Sequence, residues 1–163
     1  MSAPQTVEGL IAEERDLALA RFDYGTAWEL GSEMRRVAAE ANLPVAIEIT
    51  HHGAVVFSTL LPGATPDNIV WARRKRLVVE HFQHSSLFMR LLCEKNGVDF
   101  HSRYRLAKAD YAASGGGVPI QVAGVGLVGV VAVSGLPDIE DHDLVTSVLK
   151  QLGKSSGSQE QRE

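Results

Sequence analysis

The spacing of apolar residues changes along this chain, and each change marks an element. Between Thr26 and Ala41, Ala27, Leu30, Met34, Val37, Ala38 and Ala41 recur at helical spacing. Thr26 and Glu29 have the spacing of a capping box, which predicts a helix start at Thr26, and Asn42 with Pro44 predicts its end. Trp28 lies beside the stripe, at the edge of the core or on a pocket wall. The period then shortens to two. Val45, Ile47 and Ile49 alternate with Ala46, Glu48 and Thr50, and His52-Gly53 separates them from the β-rich run Ala54 to Leu61. This predicts an antiparallel hairpin with Glu48 on the face opposite Ile47 and Ile49.

Helical signals return after the turn Leu61-Pro62-Gly63. Thr65 is a good cap and Pro66 suits the first helical position, so a helix is expected from Pro66 to about Phe82. A second is expected from Ser85 or Ser86 to Lys95, ended by Asn96-Gly97. Asp99 to Lys108 is polar and has room for a short helix. Ser114 to Gly117 reads as a turn before two further strands, Val118 to Val122 and Leu127 to Val133. Pro137 opens a last helix to about Leu152, with Asp138, Glu140 and Asp141 in its favoured first turn. Near the amino terminus, Glu8 to Leu19 reads as a short helix entering a strand at Leu17 to Phe22.

Five strands with helices before, between and after them predict an α+β domain. Its sheet is mostly antiparallel and flanked by helices. The domain covers residues 8–152, with 1–7 and 153–163 as flexible termini. Gly124-x-Gly126-x-x-Gly129 matches a dinucleotide fingerprint in letters only, because it lies between two strands and opens no helix.

Composition narrows the classes. The chain has 163 residues, 45% of them hydrophobic, enough for one domain with a real core. A formal charge of -4 argues against general nucleic-acid binding. One cysteine leaves no intramolecular disulfide and no cysteine-rich zinc site. No apolar run approaches the ~20 residues of a membrane span. Met1 to Glu8 lacks a basic stretch followed by an apolar one, so no signal peptide is expected and the cytoplasm is the default location. Charge is uneven: residues 72–108 hold nine basic and three acidic groups. That segment is either a solvated helix surface or a face for an anionic ligand, an acidic partner or another subunit.

Few residues point to chemistry. Trp71, Arg74 and Lys75 are three and four apart on a helix, where a Trp platform beside two cations suits a flat anion. The same residues suit a subunit interface. Backbone amides near Gly116 and Gly117, before Val118-Pro119, could line a nearby pocket; the plainer reading is a sharp turn into the strand. His142 stands between Asp141 and Asp143 and shares the stripe of Ile139 and Val145, as a packing residue or a titrating one. His81 and His84 share a helix side without completing a metal motif, and no metal site is expected. Cys93 sits in an apolar helix with no base nearby, and no nucleophile elbow is present.

Four blocks together carry a family resemblance. They are Asp67-Asn68 with Trp71 and Arg74-Lys75; Gly116-Gly117-Val118-Pro119-Ile120; Gly129-x-Val131-x-Val133-Ser134-Gly135-Leu136-Pro137; and Asp141-His142-x-Leu144-Val145. Over about residues 10–152 the chain resembles the UPF0303 group of the haem-degrading-domain superfamily (DUF336), which includes GlcG-like and HbpS-like proteins. The resemblance implies a three-layer, profilin-like domain with a five-stranded sheet, and a homo-oligomer. Some HbpS-like relatives bind and degrade haem. A haem site needs an axial ligand and an apolar slot, and no histidine here matches a known ligand of the superfamily.

Three functional readings follow. One is an oligomeric small-ligand-binding or scaffolding protein without a catalytic constellation, working with a small ligand or a protein partner. Another is a haem-binding or haem-degrading protein using a histidine. The last is a protein that holds a small organic anion through Arg74, Lys75 and glycine-rich amides. The candidate ligand-binding or interface residues are Trp71, Arg74, Lys75, Gly116, Gly117, Pro119, Asp141 and His142.

Overall fold

Two hairpins join edge to edge into one antiparallel sheet. The computed structural model describes residues 5–160. Its strands are β1 (Ala46–His51), β2 (Ala54–Leu60), β3 (Gly117–Val122) and β4 (Gly126–Ser134). Its helices are α1 (Val7–Asp16), α2 (Tyr24–Glu40), α3 (Pro66–Phe82), α4 (Ser86–Asn96), α5 (Phe100–Tyr104) and α6 (Asp138–Glu160). The two hairpins meet where β1 pairs with β4, Ile47 opposite Val133, so the order across the sheet is β2-β1-β4-β3. His52 and Gly53 turn the first hairpin with φ of 48° and 83°. Two left-handed central residues twist the turn in the sense the strands require.

Strand alternation sends side chains to two helical layers. Ile47, Ile49, Val118, Ile120, Val131 and Val133 pack with Leu30 and Met34 of α2 and Val145 and Leu149 of α6. Fully burying each such aliphatic side chain contributes about 1.5–3 kcal/mol. The opposite face is crossed by α3, which contacts β1, β3 and β4. Glu48 lies on that face and is buried with Arg76, rather than open to solvent. A second cluster, with Leu10, Val78, Leu87, Met89, Cys93 and Phe100, joins α1, α3, α4 and α5.

Local signals place the helix ends. Pro66 opens α3, and Asn68 Oδ1 accepts from the Thr65 backbone N–H at 2.9 Å. Ser85 caps α4 by accepting from the Phe88 N–H, and Gly97 ends it in the left-handed region.

Several expectations are corrected. The sheet has four strands, not five, so the five-stranded profilin-like arrangement does not hold. Leu17 to Phe22 was the candidate fifth strand. There Leu17, Leu19 and Phe22 are buried at the sheet's margin, but Leu19 alone makes a bridge, to Val122. Leu19 exchanges hydrogen bonds with Gln121 and Ala123, and Asp23 then starts α2 before a ladder can grow.

The start of α2 also moves. Asp23 is the cap and accepts from the Thr26 N–H at 2.8 Å, so Thr26 sits inside the first turn. Trp28 is 67% exposed and lies against Phe57 rather than at the edge of the core. At the other end α6 runs past Leu152 to Glu160. Within it Ser155, Ser156 and Ser158 donate to carbonyls four residues back, which satisfies their hydroxyls on the helix itself. Of the termini expected to be flexible, 1–7 and 153–163, Val7 opens α1 and residues 153–160 continue α6, while residues 1–4 and 161–163 lie outside the described residues.

Candidate functional site

The eight candidate residues fall into four places. Lys75, Gly116, Gly117 and Asp141 meet in the interior, Trp71 and Arg74 lie at the surface, and His142 stands apart. Pro119 is buried in β3, an outer strand where its missing N–H costs little.

The interior group is a buried ion pair. Lys75 is 3% exposed, and its Nζ lies 2.9 Å from Asp141 Oδ2 and 3.0 Å from the Val133 carbonyl. Asp141 also accepts from the Leu136 N–H at 3.0 Å. Burial pushes the Asp141 carboxyl upward, more than Lys75 and the backbone amides draw it down. Gly116, at φ 135°, leaves the space beside Lys75 Nζ that a Cβ would fill. The Gly117 N–H is spent on Ser86 Oγ at 2.9 Å. Lys75 and Asp141 thus bolt α3, β4 and α6 together, and Lys75 does not share a site with Arg74.

His142, on α6, is enclosed and reaches Glu13 of α1. It is 1% exposed, and its Nε2 lies 2.6 Å from Glu13 Oε1. Its Nδ1 has no hydrogen-bond partner among the described residues. Burial raises the Glu13 carboxyl, but His142 and Lys150 outweigh it, and the net direction is down. An imidazole held this way reads as a joint between two helices.

The surface group, Trp71 and Arg74, lines a depression of about 340 Å³ with His101, Lys108, Tyr111, Ala112, Ala113 and Ser114. The Arg74 guanidinium lies 5.0 Å from the Trp71 ring centroid, a cation–π contact, and Arg74 Nε donates to the Ala109 carbonyl at 3.0 Å. These two contacts fix the plane of the guanidinium while the bond uses Nε alone. His101 Nδ1 lies 2.8 Å from the Leu106 carbonyl. A carbonyl only accepts, so Nδ1 carries the proton and Nε2 is the ring nitrogen left to face the depression. The described lining holds the cations Arg74 and Lys108, the His101 imidazole, the rings of Trp71 and Tyr111, and no carboxylate. The depression is partly open to solvent.

Sequence reasoning grouped Trp71 with Arg74 but did not bring His101, Lys108 or Tyr111 to them. The stretch from Asp99 to Lys108 is polar without a period. It reaches the site only because α5 is one turn long and Arg105, at φ 55°, sends the chain back toward α3. The Ala112 N–H then bonds the Arg74 carbonyl and fixes the segment beside it. Cys93 is buried, and its surroundings push the thiol upward, against a nucleophilic role. Among the described residues no group of three or more His, Cys, Asp or Glu is placed to hold a metal ion. No described helix is long and apolar enough to cross a membrane.

Comparison with known proteins gives consistent likenesses. The family described as haem degrading protein HbpS-like matches residues 22–150. A UPF0303 protein of Rhizobium rhizogenes is 47% identical over 149 residues, 91% of each chain. The crystal structure of Ybr137w protein is similar at TM-score 0.84 and 30% identity, over 91% of this chain and 88% of that one. The PduOC:heme complex is similar at TM-score 0.68 over 80% of this chain and 94% of that one; at 17% identity this shows the fold alone.

Proposed function

Since the chain belongs to the UPF0303 family of HbpS-like proteins, we propose that it is a ligand-binding protein and that its ligand is a small, flat organic anion seated at Trp71 and Arg74. The observation that carries this reading is the guanidinium held over the Trp71 ring and tied to Ala109, beside Lys108 and His101. A guanidinium already fixed in plane loses less freedom on receiving a carboxylate, and its fork suits two parallel hydrogen bonds. Trp71 and Tyr111 supply flat walls for the rest of the molecule. The volume lies at the low end of small-molecule sites, which favours a single-ring acid. This reading separates the anion from Lys75 and from the Gly117 amide, whose hydrogen bonds are already made.

Isothermal titration with benzoate and phthalate tests it. Saturable binding of one anion per chain that is lost in Arg74→Ala and weakened in Lys108→Ala supports the reading. Identical heats from wild type and Arg74→Ala contradict it.

One observation favours a second reading, haem as the flat anion. His101 is oriented by a carbonyl on Nδ1, the arrangement that fixes a metal-ligating imidazole, and Arg74 and Lys108 suit propionates. The depression is partly open to solvent rather than the enclosed apolar slot that haem requires, so the fit there is incomplete. Haemin titration of wild type and His101→Ala separates the two. A saturable Soret shift lost in His101→Ala favours haem, and an equal, non-saturating signal in both leaves the small acid.

A further inference from the structure

His101 is set to gain a proton without losing a contact. Its Nδ1 donates to the Leu106 carbonyl at 2.8 Å, and the neutral ring and the imidazolium make that bond equally. A proton added at Nε2 therefore needs no change of tautomer and no turn of the ring. The Phe100 ring stands perpendicular to the imidazole, with centroids 5.1 Å apart, and helps hold it in place. Nε2 faces the depression, which is partly open to solvent, so protons reach it.

The charged and titratable groups around the ring divide by position. Arg74 of α3, with Lys108 and Tyr111 from the segment after α5, lines the depression with His101. Asp99, the cap of α5, interacts electrostatically with His101 and Lys108 but does not line the depression. The two cations oppose a third positive charge beside them, and Asp99 favours it. A carboxylate seated on Arg74 tips that balance. It offsets the cations and adds a negative charge on the side that Nε2 faces. An opposite charge within about 4–6 Å favours the charged form of a titrating group. Imidazole is the side chain whose charge ordinarily changes between about pH 5 and pH 8.

We infer that the depression takes its anion together with a proton: His101 becomes the imidazolium as the ligand binds and completes a cationic set with Arg74 and Lys108. The inference rests on the anion reading of Trp71 and Arg74, and it adds a residue that selects and regulates the ligand there. The proton passes from solvent to Nε2, and no covalent bond to the ligand forms. Linkage is reciprocal, so the factor by which the anion strengthens proton binding is the factor by which the proton strengthens anion binding. Affinity is highest with His101 protonated and declines as pH rises through the titration of the complex. A neutral molecule of the same shape recruits no proton, so the selection favours anions most strongly in mild acid.

Calorimetric titration of the full chain with benzoate tests this. At pH 7, in bis-tris and in imidazole, two cationic buffers of unequal ionisation heat, the observed heats should differ by the uptake of a fraction of a proton per benzoate. Between pH 6 and pH 8 the affinity should fall on the order of tenfold. His101→Gln should bind at the weaker, high-pH affinity of the wild type, with no buffer dependence and no pH slope. NMR of the wild-type histidine rings supplies a readout without substitution: His101 should titrate at higher pH with benzoate present than without it. Saturable benzoate binding with buffer-independent heat and a His101 titration unmoved by the ligand overturns the inference and leaves the anion reading standing. Proton uptake that persists undiminished in His101→Gln also overturns it. Absence of saturable binding at both pH values overturns both.

Discussion

Replacing Lys75 with methionine removes one half of a buried ion pair while keeping most of the side chain's length. The variant leaves Asp141 in the interior with the Leu136 amide at 3.0 Å and the Gly135 amide at 3.4 Å, but without its cation at 2.9 Å. It also leaves the Val133 carbonyl without the Nζ donor. Removing one partner of a buried pair costs about 3–5 kcal/mol, because the remaining charge is stranded. That is a large part of the about 5–15 kcal/mol that holds a domain folded. With a urea slope of about 1–3 kcal/mol per molar, the midpoint falls by roughly 2 M.

Acid should relieve part of the loss. Burial already raises the folded-state Asp141 carboxyl, and deleting Lys75 raises it further. A raised folded-state value means the carboxyl favours folding when protonated and opposes it when ionised. The deficit of Lys75→Met against wild type is therefore largest near neutral pH and narrows as pH falls through the raised value. Urea unfolding of both proteins at pH 7 and pH 5 measures this. A deficit below about 1 kcal/mol at pH 7, or one that widens on acidification, refutes the argument.

Three further outcomes follow from other joints. Gly116→Ala places a Cβ against the Val133 carbonyl and Lys75 Nζ at φ 135°, so thermal unfolding should show a loss of at least about 1–3 kcal/mol. His142 and Lys150 hold the Glu13 carboxyl below its ordinary value in the folded chain. Its contribution is present above that value and lost as pH falls through the lower folded-state value, so Glu13→Gln should flatten the acid limb of melting temperature against pH. Buried Cys93 should react with a thiol reagent such as DTNB only on unfolding, and stoichiometric reaction in native buffer would contradict its burial.

The signals that survived from sequence to structure are local and directional. His52-Gly53 names its own turn because few pairs tolerate two left-handed residues. Pro66 after Thr65 and Gly97 after Asn96 mark helix ends through backbone geometry that no distant contact alters. The errors arise where a local pattern has two outcomes. Leu17 to Phe22 has strand-like apolar spacing, but one bridge buries it as well as a strand would. Thr26 and Glu29 have capping-box spacing, yet Asp23 lies three residues earlier and takes the role.

Lys75 shows the limit for the site. Along α3 it is one member of a basic run, Arg73 to Arg76, with nothing local to tell it from its neighbours. In the fold Arg73 meets Asp110, Arg74 meets Trp71, Lys75 meets Asp141 and Arg76 meets Glu48. Four adjacent cations take four fates; those of Arg73, Lys75 and Arg76 are set by residues distant in sequence, and Arg74 is held by Trp71 on its own helix and by the Ala109 carbonyl. His101 and Lys108 are illegible for the same reason, because tertiary folding alone carries them to Trp71.

The central claim is that Trp71 and Arg74 hold a flat anion, and Trp71 can report on it directly. The chain has two tryptophans, so Trp28→Phe leaves Trp71 as the single indole. Titrating that protein with phthalate while following tryptophan fluorescence should give saturable quenching or a spectral shift, absent when Arg74→Ala is added. A signal that never saturates, or that survives Arg74→Ala unchanged, would contradict the account.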